Sequence, residues 1–141
     1  MCADLAIADR VDFRGRMSHE ATGAQYGGHD ALLFPSFREP SGIVVMEAMA
    51  AGLPVITTTI GGPGYQVAEG CGVRVELRDV PQFRRDIAEA VRSLVREPDA
   101  YRRMSARARD RATELGWWPR KIDWMCERYE EVLSDGGPPT R

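Results

Sequence analysis

Long apolar runs are missing from this 141-residue chain. No stretch approaches the roughly 18 consecutive apolar residues of a membrane span. Met1 is not followed by the basic-then-apolar pattern of a secretory leader, so the sequence reads as a soluble, cytoplasmic protein. Cysteine is scarce: Cys2, Cys71 and Cys126 are odd in number, widely spaced and without a CxxC pair. That argues against a disulfide framework or a zinc site and fits reduced thiols. An excess of one charge is lacking too. With 19 basic and 21 acidic residues the net charge is −2 and the pI near 5.7, which gives no general pull towards nucleic acid or an anionic membrane. Internal repeats and low-complexity segments are absent. What remains is 43% hydrophobic residues, sufficient for an ordinary core, in a length that suits one domain.

The patterning alternates strands with helices. "RVDFRGRM" (10–17) sets Val11 and Phe13 between polar residues and ends at a glycine, as a short strand does. A short helix is predicted within 18–30, with Ser18 as N-cap and Glu20 in its first turn. "ALLFPS" (31–36) is a continuous apolar run stopped by Pro35, the signature of a strand buried on both faces. A helix fits 42–51 and closes at Gly52. "PVITTT" (54–59) is β-branched and predicts a strand, "IGGPGY" (60–65) a turn, and "CGVRVEL" (71–77) a fourth strand. Such alternation indicates a parallel α/β sheet.

The last third is helical. After Pro81, residues Phe83, Ile87, Val91, Leu94 and Val95 share one helical face. Asp99 can cap a second helix that ends at Gly116. In a third, spanning 119–133, Ile122, Met125, Tyr129 and Val132 form one stripe. Residues 134–141 read as a polar, frayed tail. Four strands make a thin sheet for a doubly wound domain, where about 5–6 are usual. The chain therefore reads as the back portion of something larger.

Chemistry concentrates in "FREPSGIVVMEAMAAGLPVIT" (37–57), where Glu39 and Glu47 flank an apolar run. Charged residues are rarely buried without partners. The helix from 42 follows a strand directly, and in an open parallel sheet ligands sit beyond the strands' carboxyl ends. The first-turn amides of Gly42, Ile43 and Val44 are donors without intrahelical acceptors, suited to a phosphate. Gly42 also lacks a Cβ where a ligand can approach. Carboxylates accept well from sugar and ribose hydroxyls. A diphosphate on the helix end with a hydroxyl-bearing group on each side describes a nucleotide sugar. The competing reading is plainer: Glu47 complements the helix dipole and Glu39 is solvated.

"PSFREPSGIVVMEAMAAGLPVI" resembles the E-x7-E signature of retaining GT-B glycosyltransferases, usually written EPFGLVxLEAMAxGxPVV. The similarity continues on both sides. "ADRVDFRGRM" is similar to the family's V-x-F-x-G segment, and "YGGHDALLFPS" to its Y-x-x-A-D-x-x-x-x-P-S. "TTTIGGPGYQV" resembles the GG-x-x-E-x-V turn, and "GWWPRKIDWMCERYEEVL" the closing helix. Five segments in the right order cover nearly the whole chain.

The resemblance implies a Rossmann-like parallel sheet, part of a GT-B C-terminal domain, followed by C-terminal helices. Residues 1–133 would be a partial nucleotide-sugar-binding domain and 134–141 a disordered tail. It implies a catalytic, donor-contacting role for Glu39 at the sugar hydroxyls and a ribose contact for Glu47. The amides of Gly42, Ile43 and Val44 would face the sugar and diphosphate, while Arg14, Gly15 and Arg16 would frame the base. Such transfer needs no metal and no cofactor beyond the nucleotide-diphosphate sugar.

Three departures stand against the family pattern. Ser41 replaces the usual Phe and can cap the helix with its hydroxyl. Tyr65 stands where the turn often carries Glu. The basic pair that neutralises the leaving diphosphate, and the whole acceptor-binding domain, belong to segments that would precede this chain. Charge stabilisation of that kind is usually the largest catalytic term, so the chain alone is expected to be a very poor catalyst.

Other residues carry plainer expectations. His19 and His29 read as surface or capping histidines, "GGPG" (61–64) as a turn rather than a phosphate nest, and the arginines of 102–111 as a solvated face. Trp117, Trp118 and Trp124 read as packing residues or as contacts to a missing domain. The readings that remain are the donor half of a retaining hexosyltransferase, a non-catalytic nucleotide-sugar module working with a separate chain, or a truncated reading frame. Exposed sheet surface would favour a homo-oligomer.

Overall fold

The computed structural model describes residues 2–116 and 118–134. A 3-10 turn, Ala8–Arg10, leads into an extended segment and then α1, His19–Tyr26. Next come β1 (Leu32–Phe34), α2 (Ile43–Ala50), β2 (Val55–Thr58), α3 (Gly61–Gln66) and β3 (Gly72–Val75). Three helices follow: α4 (Val80–Arg96), α5 (Pro98–Gly116) and α6 (Trp118–Ser134). The sheet runs β1-β2-β3, all parallel, with Leu32 opposite Val55 and Val55 opposite Gly72.

Among the described residues the sheet has three strands, not four. Val11 is extended, at φ −124° and ψ 118°, and Gly15 turns the backbone to φ 62°, but residues 11–15 pair with no strand among the described residues. An extended segment becomes a strand only when a neighbour takes its backbone hydrogen bonds. The 60–65 turn is also different, forming the first part of α3.

Alternation along β2 separates two cores. Val55 faces Val45, Ala48, Met49, Val67, Ala108 and Ala112, so α2, α3 and α5 cover that side. Ile56 faces the other way, towards Val75 and Ala90, with Phe83, Ile87 and Leu94 of α4 alongside. Asp79 starts α4 by accepting from the Gln82 amide at 2.7 Å, so the helix begins at Val80, one position before Pro81. The buried Gln82 side chain is satisfied by donating to the Glu76 carbonyl at 2.9 Å and accepting from the Arg78 amide.

α4 lies over β2 and β3 and leaves β1 uncovered on that side. Leu33 is therefore 47% exposed, against the expectation of a strand buried on both faces. An open apolar groove results, lined by Leu33, Ile56, Val91, Leu94, Val95 and Tyr101. α6 buries none of its residues: Ile122, Met125, Tyr129 and Val132 all stay exposed. Among the described residues no helix is long and apolar enough to cross a membrane. The expected tail after Ser134 lies outside the described residues, as does Trp117.

Candidate functional site

The loops after β1 and β2 meet at the carboxyl end of the sheet. Thr57 and Thr58 are buried, and their hydroxyls donate to the carbonyls of Phe34 (2.8 Å) and Ser36 (3.1 Å). Each buried hydroxyl is thereby satisfied, and the start of the 35–42 loop is pinned to the central strand. The Gly62 amide then donates to the Glu39 carbonyl at 3.1 Å, and the Gln66 side chain donates to the Ser41 carbonyl. The glycines of "GGPG" make this approach possible: a Cβ on Gly62 would sit 2.4 Å from the Pro40 oxygen. The motif is a packing surface for the 39–41 backbone.

Gly42 is the N-cap of α2 at φ 69°, a left-handed conformation that glycine adopts without strain. A Cβ there would lie 2.9 Å from Pro63 Cγ. The fold itself, then, requires glycine at 42, independently of any ligand's approach. Ser41 does not cap the helix. Its hydroxyl donates to Glu39 Oε1 at 3.1 Å, and the same oxygen accepts from the amides of Ser41 (3.0 Å) and Gly42 (2.8 Å). Those bonds, the Gly42 amide first, hold the Glu39 carboxyl below the usual carboxylate range. The predicted set of three free donors is thus reduced, since the Gly42 amide is committed to Glu39. The amides of Ile43 and Val44 meet no protein acceptor among the described residues. Glu39 Oε2 is likewise open.

Glu47 sits in the second turn of α2, whose first turn holds no acid. Dipole matching therefore does not explain it, since that effect falls off within the first turn. Its side chain is 26% exposed and is gripped from α1: His19 Nε2 lies 2.7 Å from Oε1, and the Tyr26 hydroxyl donates to Oε2 at 3.0 Å. Burial and then the Glu47 carboxylate push Tyr26 up to about 12. No arginine or lysine among the described residues is bonded to Glu47 or Glu39.

His29 does cap, as expected, with Nδ1 2.6 Å from the Gln25 carbonyl. His19 is more than a surface histidine, because it reaches Glu47. The sequence reading missed Tyr26. A usable signal was its position seven residues after His19, which puts both on one face of α1. Arg14, Gly15 and Arg16 lie in the unpaired segment, where Arg14 pairs with Asp12 at 2.6 Å. No hydrogen bond or ion pair joins them to Glu39, Glu47 or the start of α2. Trp118 and Trp124 are exposed, each under a cation of its own helix, Lys121 and Arg128. The arginines of α5 divide between two environments. Arg109 donates to the Ala51 carbonyl and Arg111 to that of Gln66, so one side of the run grips the ends of α2 and α3 while Arg102 pairs with Asp99 in solvent. Of the three thiols Cys71 is buried, and it donates to the Ala68 carbonyl at 3.2 Å.

Residues 1–111 match the family described as glycosyl transferases group 1. The D-inositol 3-phosphate glycosyltransferase of Mycolicibacterium smegmatis is 34% identical over 133 residues, which cover 94% of this chain and 29% of that protein. The chain thus spans less than a third of that curated relative. Sucrose-phosphate synthase from Thermosynechococcus elongatus superimposes with a TM-score of 0.76 at 29% identity, over 96% of this chain and 33% of the other. Anabaena HepE in complex with UDP-glucose gives 0.70 at 21% identity, over 80% of this chain and 30% of that one, a likeness of fold. The three parallel strands and their helices share the Rossmann-like GT-B fold of these neighbours.

Proposed function

This chain belongs to the group 1 glycosyl transferases, and from that premise we propose that it carries the donor half-site of a retaining hexosyltransferase. Its ligand is a nucleotide-diphosphate sugar. One observation carries the reading: the start of α2 offers the Ile43 and Val44 amides without protein acceptors, between two carboxylates fixed by other bonds. Amides at a helix start suit a diphosphate, and held carboxylates suit hydroxyls. In this reading Glu39 Oε2 meets the sugar, Glu47 the ribose, and Gly42 shapes the turn between them. Arg14, Gly15 and Arg16 frame the base once the 10–17 segment is held by neighbouring structure. The transfer uses no metal, and the protein works in the cytoplasm.

The residues around α2 bind and orient the donor; they do not neutralise a leaving diphosphate. We assign that charge, and the acceptor site, to a preceding domain or a separate chain. The 141 residues alone are accordingly expected to be inactive. The open Leu33–Tyr101 groove and the uncovered stripe of α6 favour work against another polypeptide, which also keeps the second reading, a non-catalytic nucleotide-sugar module, in view.

The test is a calorimetric titration of the chain with UDP and UDP-glucose, beside a radiolabelled transfer assay. Weak binding without transfer is the expected result. Glu47→Gln should weaken binding by about 1.5–3 kcal/mol, the worth of a charged hydrogen bond, beyond whatever stability it loses through its bonds to His19 and Tyr26. Unchanged binding with lost stability would make Glu47 a residue of the fold, and robust turnover by the isolated chain would overturn the division of labour.

A further inference from the structure

The two ends of α1 hold the same carboxylate. Ser18 caps the helix by accepting from the Ala21 amide at 3.1 Å, which places His19 at the first helical position. Tyr26 closes the helix seven residues on, two turns along the same face. His19 Nε2 meets Glu47 Oε1 and the Tyr26 hydroxyl meets Oε2. Each oxygen therefore receives one donor from α1. A carboxylate has about four lone-pair sites, so one site on each oxygen is left.

We propose that His19 and Tyr26 are positioning residues that lock the Glu47 carboxylate so that its remaining lone pairs meet the two ribose hydroxyls of a bound nucleotide. This rests on the donor-site reading above and adds residues that neither the E-x7-E spacing nor the α2 helix contains. The terminal torsion of a glutamate is broad and roughly two-fold, so an untethered carboxylate would have to be ordered when the ligand binds. Donors on both oxygens fix the plane beforehand. They also commit His19 to the tautomer that carries its proton on Nε2, since a bare Nε2 would face the carboxylate lone pair to lone pair. The two donors differ in setting. Tyr26 is buried, whereas the His19 side chain is 85% exposed, so His19 can be changed with little disturbance to packing.

The loss expected from freeing one such side chain is about three- to tenfold in affinity. The experiment titrates the 141-residue chain by calorimetry with UDP, ADP and GDP, and carries forward the tightest together with its 2′,3′-dideoxy analogue. His19→Ala and Tyr26→Phe should each weaken the ribonucleotide by that factor and leave the dideoxy analogue unaffected. His19→Gln, which returns an N–H donor near the Nε2 position, should recover most of the loss. In ¹⁵N spectra the wild-type His19 ring should be protonated on Nε2. Equal losses for both ligands, or failure of His19→Gln to recover affinity, would make the two residues general supports of the fold and overturn the proposal. If Glu47→Gln weakens binding while His19→Ala and Tyr26→Phe do not, positioning fails and the donor site stands. If no nucleotide binds, or ribose and dideoxyribose forms bind alike, the donor reading itself fails and takes this proposal with it.

Discussion

The Tyr26 hydroxyl donates to Glu47 Oε2 across the α1–α2 interface at 3.0 Å, a buried phenol held against an anion. Burial first and the carboxylate second raise its ionisation to about 12, above the unfolded value of about 10. A group whose folded pKa is raised contributes stability that is fully present below the unfolded value and is lost as pH rises through the folded one. The window is therefore pH 10 to 12. Urea unfolding at intervals between pH 8 and 11.5 should show the wild type losing more stability than Tyr26→Phe over that range. At pH 8 the variant should be weaker by about 1.5–3 kcal/mol, the cost of a hydrogen bond to a charged partner. Parallel pH curves for the two proteins would contradict the account.

Glu39 behaves with the opposite sign. Its carboxyl is held low by the Gly42 amide, then by the Ser41 amide and hydroxyl. Its contribution is present above the ordinary carboxylate value of about 4.3 and disappears as pH falls through the lower folded value. Glu39→Gln keeps an acceptor but removes the charge. The melting temperatures of wild type and variant should differ at pH 6, and the difference should shrink steadily as pH falls below the ordinary carboxylate range. A difference that persists in acid would show that the loop depends on something other than the carboxylate.

The Gly42 position tests how closely the two loops are fitted. Its φ of 69° strains any L residue, and a Cβ would lie 2.9 Å from Pro63 Cγ and 3.2 Å from Gln66 Oε1. Left-handed strain and overpacking together cost about 2–4 kcal/mol. Gly42→Ala should lose that much in urea unfolding, whereas Gly23→Ala, at a glycine with open space around it, should not. Equal effects would mean that the close approach of α3 to the 39–42 loop is not needed.

Local pattern was enough to find α1, β1, α2, β2 and β3, because each has its own cap, breaker or β-branched run: Ser18, Pro35, Gly52 and Val55–Thr58. It failed where the outcome depends on a partner. Residues 10–17 have strand patterning but no neighbouring strand to take their hydrogen bonds, and Leu33 has an apolar strand's sequence without a helix over it. "GGPG" reads as a turn because its glycines hide their purpose, contact with the Glu39–Ser41 backbone. At the site, spacing singled out Glu39 and Glu47. It could not show that the Gly42 amide turns to Glu39, nor that His19 and Tyr26 hold Glu47. Those are contacts within a tight loop or between helices, and neither leaves a period in the sequence.

The uncovered side of β1 yields the last prediction. Leu33 stands open in a groove with Ile56, Val91, Leu94, Val95 and Tyr101, and β1 itself is an edge strand. An exposed edge offers unpaired backbone donors and acceptors, and an apolar face beside it offers area to bury. Both act in the same place, so association should be centred there. Light scattering of the isolated chain should show mass rising with concentration. Leu33→Lys puts a charge at the centre of the groove while leaving the β1 backbone and the half-buried face of Leu32 and Phe34 unchanged. The variant should stay monomeric at concentrations where the wild type associates, with a melting temperature within a few degrees of it. If the wild type is monomeric throughout, the groove is too small to drive self-association. If both proteins associate alike, the exposed stripe Ile122, Met125, Tyr129 and Val132 on α6 becomes the surface responsible, and charged substitutions there should abolish the effect instead.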